Sequence, residues 1–251
     1  MTFEGYFDDS NSHPSAPLIL WAGFVGYRNQ WALLAARWRD ILAREGLPYF
    51  HMVACEQGDP PFDRRDPSRA WRDALIHDLR EAIFKAGLFG IAAGVPYAEW
   101  DKVVTPEMEE WVGVPKSVAM ILCFATATQH APKAGWSGPV NLFFDQGVEP
   151  KAIEVANWIA ASSNGFTGRA DTAQFLPVKA TAELQAADMF AWELQNDMKR
   201  YLALGPDRPL RPHYVPWLAQ QKDVQFLEAD VLRARLATPE FRSLLDDDLW
   251  Q

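Results

Sequence analysis

Cysteine is nearly missing from this chain: Cys55 and Cys123 are the only two, far apart and in no paired motif. That excludes a disulfide framework or a zinc ribbon and suits a reducing cytoplasm. Long hydrophobic runs are missing as well, since the stretch from Val118 to Thr126 falls well short of a membrane span. The opening residues, MTFEGYFDDS, are acidic and lack the basic-then-apolar layout of a secretory signal, so a cytoplasmic protein with no membrane segment is expected. Basic charge is also scarce. Lys and Arg number 24 against 33 Asp and Glu, a net −9, which argues against a broad nucleic-acid-binding face. Two local basic clusters, Asp63 to Arg72 and Met198 to Arg211, read as solvated helix faces. The glycines of GLFGIAAG lack phosphate-loop spacing, and no GxSxG elbow occurs.

What the chain has is apolar substance in short, patterned pieces. Hydrophobic residues make up 49% of 251, with eleven Trp, enough for one substantial core or two small domains. Phe3 to Asp8 reads as a strand, and Pro17 to Gly26 as a second, fully buried one. Helical spacing follows from 28 to 45, stopped by Gly46. LPYFHMVA, residues 47–54, reads as a short strand. Asp66-Pro67 has the form of a helix start, and Gly87 ends that helix. LFGIAAGVPY is a further buried strand, and a helix is expected from Lys116 to Gln129. PVNLFFD is a strand ending at Asp145, Pro150 opens a helix to about Ala161, and AQFLPV is a short strand. Thr181 caps a long helix to about Leu202. From Gly205 a proline-rich connection and two short helices are expected to pack on the main unit as a helical tail, giving an α/β domain at 1–204 and an extension at 205–251. Adjacent opening strands followed by strand-helix alternation predict a mixed sheet, antiparallel first and parallel later.

Two strands finish on acids, Asp8-Asp9 and Asp145. In an open α/β sheet ligands gather beyond the carboxyl ends of strands, although Asp also favours turns through local backbone hydrogen bonds. A third acid sharpens the question. In TAELQAADMFAWELQ, helical spacing places Asp188 on a face of Leu184, Ala187 and Ala191. A bare carboxylate there costs several kcal/mol, so it is protonated, paired with a base, or bound to a cation. Three acids facing inward from separate elements suggest a divalent metal, and oxygen-only ligation fits Mg or Mn. An Arg or Lys partner for Asp188 is the structural alternative.

YFDDS, the segment Phe50, His51, Met52 and Glu56, LFFDQ and LQAADMFAWEL occur in this order and context in one family. The chain, over about residues 3 to 203, resembles the mostly bacterial and phage family catalogued as domain of unknown function 3800, which is similar to the ribonuclease H superfamily. The LQxAD helix is the most specific motif, and the N-terminal FxD[ED]S is next. The resemblance implies a ribonuclease H-like mixed sheet flanked by helices, with helical insertions around 30–45 and 66–87. It places Asp8 at the end of the first strand, Asp145 at the end of the fourth and Asp188 on the last helix. In active superfamily members such acids hold metal ions that activate water against a phosphodiester.

The resemblance therefore implies a metal-dependent phosphodiesterase, most naturally a nuclease, with Asp8, Asp145 and Asp188 as catalytic metal ligands and nucleic acid as partner. The chain departs from the pattern in two ways. The superfamily's carboxylate on the first core helix has no counterpart in VPKSVAMILCFATATQHA, and the family's Asp-Glu-Ser is here Asp8-Asp9-Ser10. Asp9 or Glu56 is the candidate further ligand, and His51 a candidate ligand, general base or phosphate contact. The alternative reading is a non-catalytic ribonuclease H-like module that binds a protein or nucleic acid.

Overall fold

The computed structural model describes residues 1–10, 16–63, 69–106, 108–109, 113–146 and 170–237. Its strands are β1 (Phe3–Ser10), β2 (Leu18–Tyr27), β3 (Phe89–Pro96), β4 (Val140–Asp145), β5 (Ala170–Leu176) and β6 (Lys222–Phe226). Its helices are α1 (Arg28–Glu45), α2 (Met52–Gln57), α3 (Ala70–Ala86), α4 (Tyr97–Trp100), α5 (Pro115–Lys133), α6 (Ala182–Leu204) and α7 (Ala229–Leu236). The described strands form one six-stranded sheet in the order β5-β4-β1-β2-β3-β6. β1, β2 and β3 pair antiparallel, whereas β4 runs parallel to β1 and β5 parallel to β4. That order and those directions make the mixed sheet, antiparallel first and parallel later, that the strand pattern predicts.

The two faces of the sheet explain the residue pattern. Phe3 and Phe7 of β1 join a core with α5, while Tyr6 joins the opposite core with α1, α3 and α6. Both faces of β2 are covered, which is why its run LILWAGFVG is apolar without alternation. β1 and β2 approach so closely at Gly23 that a Cβ there would stand 1.9 Å from the carbonyl oxygen of Tyr6. A side chain at that position would push apart the strand that carries Asp8. α1 ends on Gly46 at φ 64°, a left-handed cap that glycine adopts without steric cost. Thr181 caps α6 as its pattern predicts, accepting the Leu184 N–H at 3.2 Å.

Two expectations need correction. Residues 47–54 are not a strand: the chain passes without regular structure into α2. Its backbone N–H groups are taken by α6 side chains, since Gln185 Oε1 accepts Phe50 N–H at 2.8 Å and Asp188 Oδ2 accepts Met52 N–H at 2.6 Å. Nor are residues 205–237 purely helical. A 3₁₀ turn at Val215–Ala219 and helix α7 flank β6, which pairs parallel with β3 and completes the sheet edge. Helix α3 is described from Ala70 onward, and the expected helix start at Asp66-Pro67 and helix from Pro150 to Ala161 lie outside the described residues.

Candidate metal centre

β1 and β4 are parallel neighbours paired through Phe7 and Phe144. The next residue on each is an acid, so Asp8 and Asp145 reach the same end of the sheet side by side. Strand alternation decides where each points. Asp8 follows Tyr6 and Asp145 follows Phe143 on the α6 face, while Asp9 follows Phe7 toward α5. One carboxylate oxygen from each of Asp8, Asp9 and Asp145 lies within 4.8 Å of the others. Asp188 stands beside them on the second turn of α6. It is 7% exposed, and its charge acts on Asp8 and is acted on by Asp145.

The electrostatics show how crowded this corner is. Asp8 is 6% exposed, and its carboxyl is held well above the usual range, by burial first and then by Asp188, Asp145 and Asp9. Burial likewise lifts Asp188, to about 6, against the pull of nearby His51 and the Met52 N–H. Asp9 has a cation for company: Lys116, on the first turn of α5, sits 3.0 Å from its carboxylate. Burial outweighs that ammonium, so the Asp9 carboxyl is still raised. Asp145 is fixed by the backbone, with its Oδ1 accepting Val178 N–H at 2.8 Å.

Of the sequence candidates, the structure brings Asp8, Asp9 and Asp145 into one cluster and sets Asp188 and His51 next to it. Glu56 is directed elsewhere. Its carboxylate is gripped by Arg69, which also binds Asp73 at 2.8 Å. His51 caps α2 and bears on Asp188 through space. The arginine partner considered for Asp188 occurs further along the same helix, where fully buried Asp197 pairs with Arg208, and Glu193 lies 3.7 Å from Arg211. Arginines of both basic clusters thus bind acids of the fold.

Lys116 was not among the candidates, yet it had a signal. A lysine directly after Pro115 opens a helix, where the dipole disfavours positive charge. A cation so placed asks for a carboxylate from elsewhere, and Asp9 supplies it.

The residues present fit a hard divalent cation. The donors are all carboxylate oxygens, and their mutual repulsion and burial are what a cation relieves. Asp8, Asp9 and Asp145 bring their oxygens close enough together that they could hold it, with Asp188 beside them.

No protein-family model and no curated protein matches the sequence. Among solved structures, the chain is similar to ribonuclease HII of Archaeoglobus fulgidus in its complex with PCNA, at 12% identity and TM-score 0.41, covering 86% of each chain. It is similar to Bst ribonuclease HIII in complex with Mn2+, at 13% identity and TM-score 0.48, over 97% of this chain and 69% of that one. It is likewise similar to ribonuclease H2 of Pyrococcus horikoshii, at 14% identity and TM-score 0.42, over 98% of both chains.

Proposed function

We propose that the protein is a metal-dependent phosphodiesterase acting on nucleic acid, a nuclease of the domain of unknown function 3800 family. The observation that carries this reading is the convergence of Asp8, Asp9 and Asp145 within 4.8 Å at the carboxyl ends of two adjacent parallel strands. Mg2+ or Mn2+ is the cation that such donors select. When bound, it would neutralise phosphate charge and lower the pKa of water.

The chain's own residues would then do three things. Asp8 and Asp145 present oxygens from rigid strands, so their spacing is set by the sheet. Asp188 is held by the Met52 N–H, which keeps one oxygen engaged and orients the other. His51 stands beside Asp188 at the end of the segment that leads into α2, where an imidazole would exchange a proton or contact a phosphate. The two cysteines are buried free thiols, and burial raises Cys55 to about 12, so neither is offered as a nucleophile. No described helix is long and apolar enough to cross a membrane.

One observation favours a second reading, a non-catalytic nucleic-acid or protein binder. Lys116 comes from α5, the helix on which the superfamily often carries a carboxylate, and its ammonium already neutralises Asp9. A lysine there would replace part of what a second cation does.

The melting temperature with and without millimolar Mn2+, followed by a cleavage assay, separates the two. Binding at about 100 times the dissociation constant stabilises by roughly 2.7 kcal/mol, a rise of about 5–10 °C for a chain of this size. The nuclease reading expects that rise in the wild type, its loss in Asp145→Asn, and Mn2+-dependent cleavage of single- or double-stranded substrates. A rise without cleavage of any RNA or DNA leaves the binder.

A further inference from the structure

One layer below the acids, on the same face of the sheet, lies a cavity of about 700 Å³ between α1 and the start of α6. The relation repeats on three elements. Tyr6 precedes Asp8 by two residues, Phe143 precedes Asp145 by two, and Gln185 precedes Asp188 by three. Steps of two on a strand and three on a helix keep the same face. Cavity and acids are therefore successive layers of one side of the sheet, roughly 6–7 Å apart along the strands.

The cavity is made of unlike parts in a definite arrangement. Its floor is aromatic: Tyr6 and Phe143 stack at 4.5 Å with planes 13° apart, and Trp31 meets Tyr6 edge-on at 4.6 Å. Two part-buried carboxylates, Glu4 and Glu183, stand inside. Both act on the Tyr6 phenol and Glu4 acts on Glu183, so they share one space. The cations Arg28, Arg39 and Lys179 are exposed at its rim.

A ligand complementary to this arrangement inserts a flat ring bearing N–H donors and leaves an anionic group outside. Among biological molecules a nucleotide with an amino-substituted base has that form. Its ring would pack against the edges of the mutually stacked Tyr6 and Phe143, its exocyclic amine would donate to a carboxylate, as cytosine does to Glu or Asp, and its phosphate would meet the rim cations. The volume falls within the ~300–1,000 Å³ typical of small-molecule sites. We propose that this cavity is a nucleotide subsite selective for amino-bearing bases. The nucleotide is either free or one unit of a strand whose phosphodiester lies at the acids. The strand case rests on the phosphodiesterase reading, whereas the cavity's own chemistry does not.

Calorimetric titration of the metal-free full chain with CMP, UMP and ribose 5-phosphate tests it. CMP is expected to bind about tenfold or more tighter than UMP, the scale of one hydrogen bond to a charged group, and ribose 5-phosphate more weakly still. Glu183→Gln should remove the preference for CMP over UMP while leaving the response to Mn2+ unchanged, which shows that the variant folds. Equal affinity for CMP and UMP, or an unchanged preference in Glu183→Gln, overturns the proposal. A short oligocytidylate distinguishes the sources. Tighter binding than CMP only with Mn2+, and lost in Asp145→Asn, marks a strand, while equal affinity marks a free nucleotide. If Asp145→Asn leaves the Mn2+ response intact but CMP still binds selectively, the phosphodiesterase reading fails and the subsite stands.

Discussion

Lys116 reaches from the first turn of α5 to the carboxylate of Asp9 at 3.0 Å, so the one acid of the cluster that points away from α6 is met by a cation from the opposite face. The cluster is thereby divided into a neutralised corner and a strongly repelling one.

That division predicts competition. Replacing Lys116 by Met should free Asp9 and tighten Mn2+ binding by at least about tenfold, since one unit charge about 4 Å away is worth about 4 kcal/mol at an effective dielectric constant near 20. Isothermal titration of the variant against wild type decides it. Weaker Mn2+ binding would show instead that the ammonium helps assemble the site.

Asp8→Asn should have opposite effects on stability and activity. It removes a buried charge opposed by Asp188, Asp145 and Asp9, so the metal-free protein should gain about 1–3 kcal/mol in urea unfolding, by relief of an uncompensated buried charge. Mn2+ stabilisation and Mn2+-dependent cleavage should both disappear. A less stable metal-free variant would mean that the ionised Asp8 is held by favourable contacts.

The pH dependence follows from Asp188, raised to about 6, and Asp8, also raised by burial and the neighbouring acids. Between the ordinary carboxylate range and pH 6 the native state keeps protons that the unfolded chain has released, so stability falls as pH rises through this window. In EDTA the loss from Asp188 between pH 4.5 and pH 7.5 should be on the order of 2–3 kcal/mol. Glu193, raised to about 7 by burial, adds in the same direction. Mn2+ should flatten the profile at its alkaline end, because the cation takes the place of the protons. Melting curves at three pH values, with and without Mn2+, are sufficient.

Arg208→Ala should cost about 3–5 kcal/mol, since it strands the fully buried Asp197. The exposed pair Arg233–Asp230 is the control, and its loss should change stability by less than about 1 kcal/mol. Urea midpoints of the two variants measure the contrast.

The acids that end strands and the acid on an apolar helix face were legible because periods of 2 and 3.6 place Asp8, Asp145 and Asp188 without reference to anything distant. The α2 segment was not. Its apolar letters suit a strand, but its backbone donors go to Gln185 and Asp188, far away in the chain. β6 was hidden for a related reason: KDVQF is short and polar, and only the open edge of β3 gives it a partner. Glu56 was drawn in by the resemblance, and no local pattern shows that Arg69 holds it.

β1 lies in the interior of the sheet, between a partner that follows it at once and one, β4, supplied from Val140 onward. Contacts so distant in sequence form slowly, because a long loop must close first. During synthesis β1, β2 and β3 can pair while Asp8 still faces solvent beside an open parallel edge. Asp145 joins only when β4 docks, and Asp188 only when α6 is laid over both. The four acids therefore come together late in folding, and a half-made chain carries no complete carboxylate cluster.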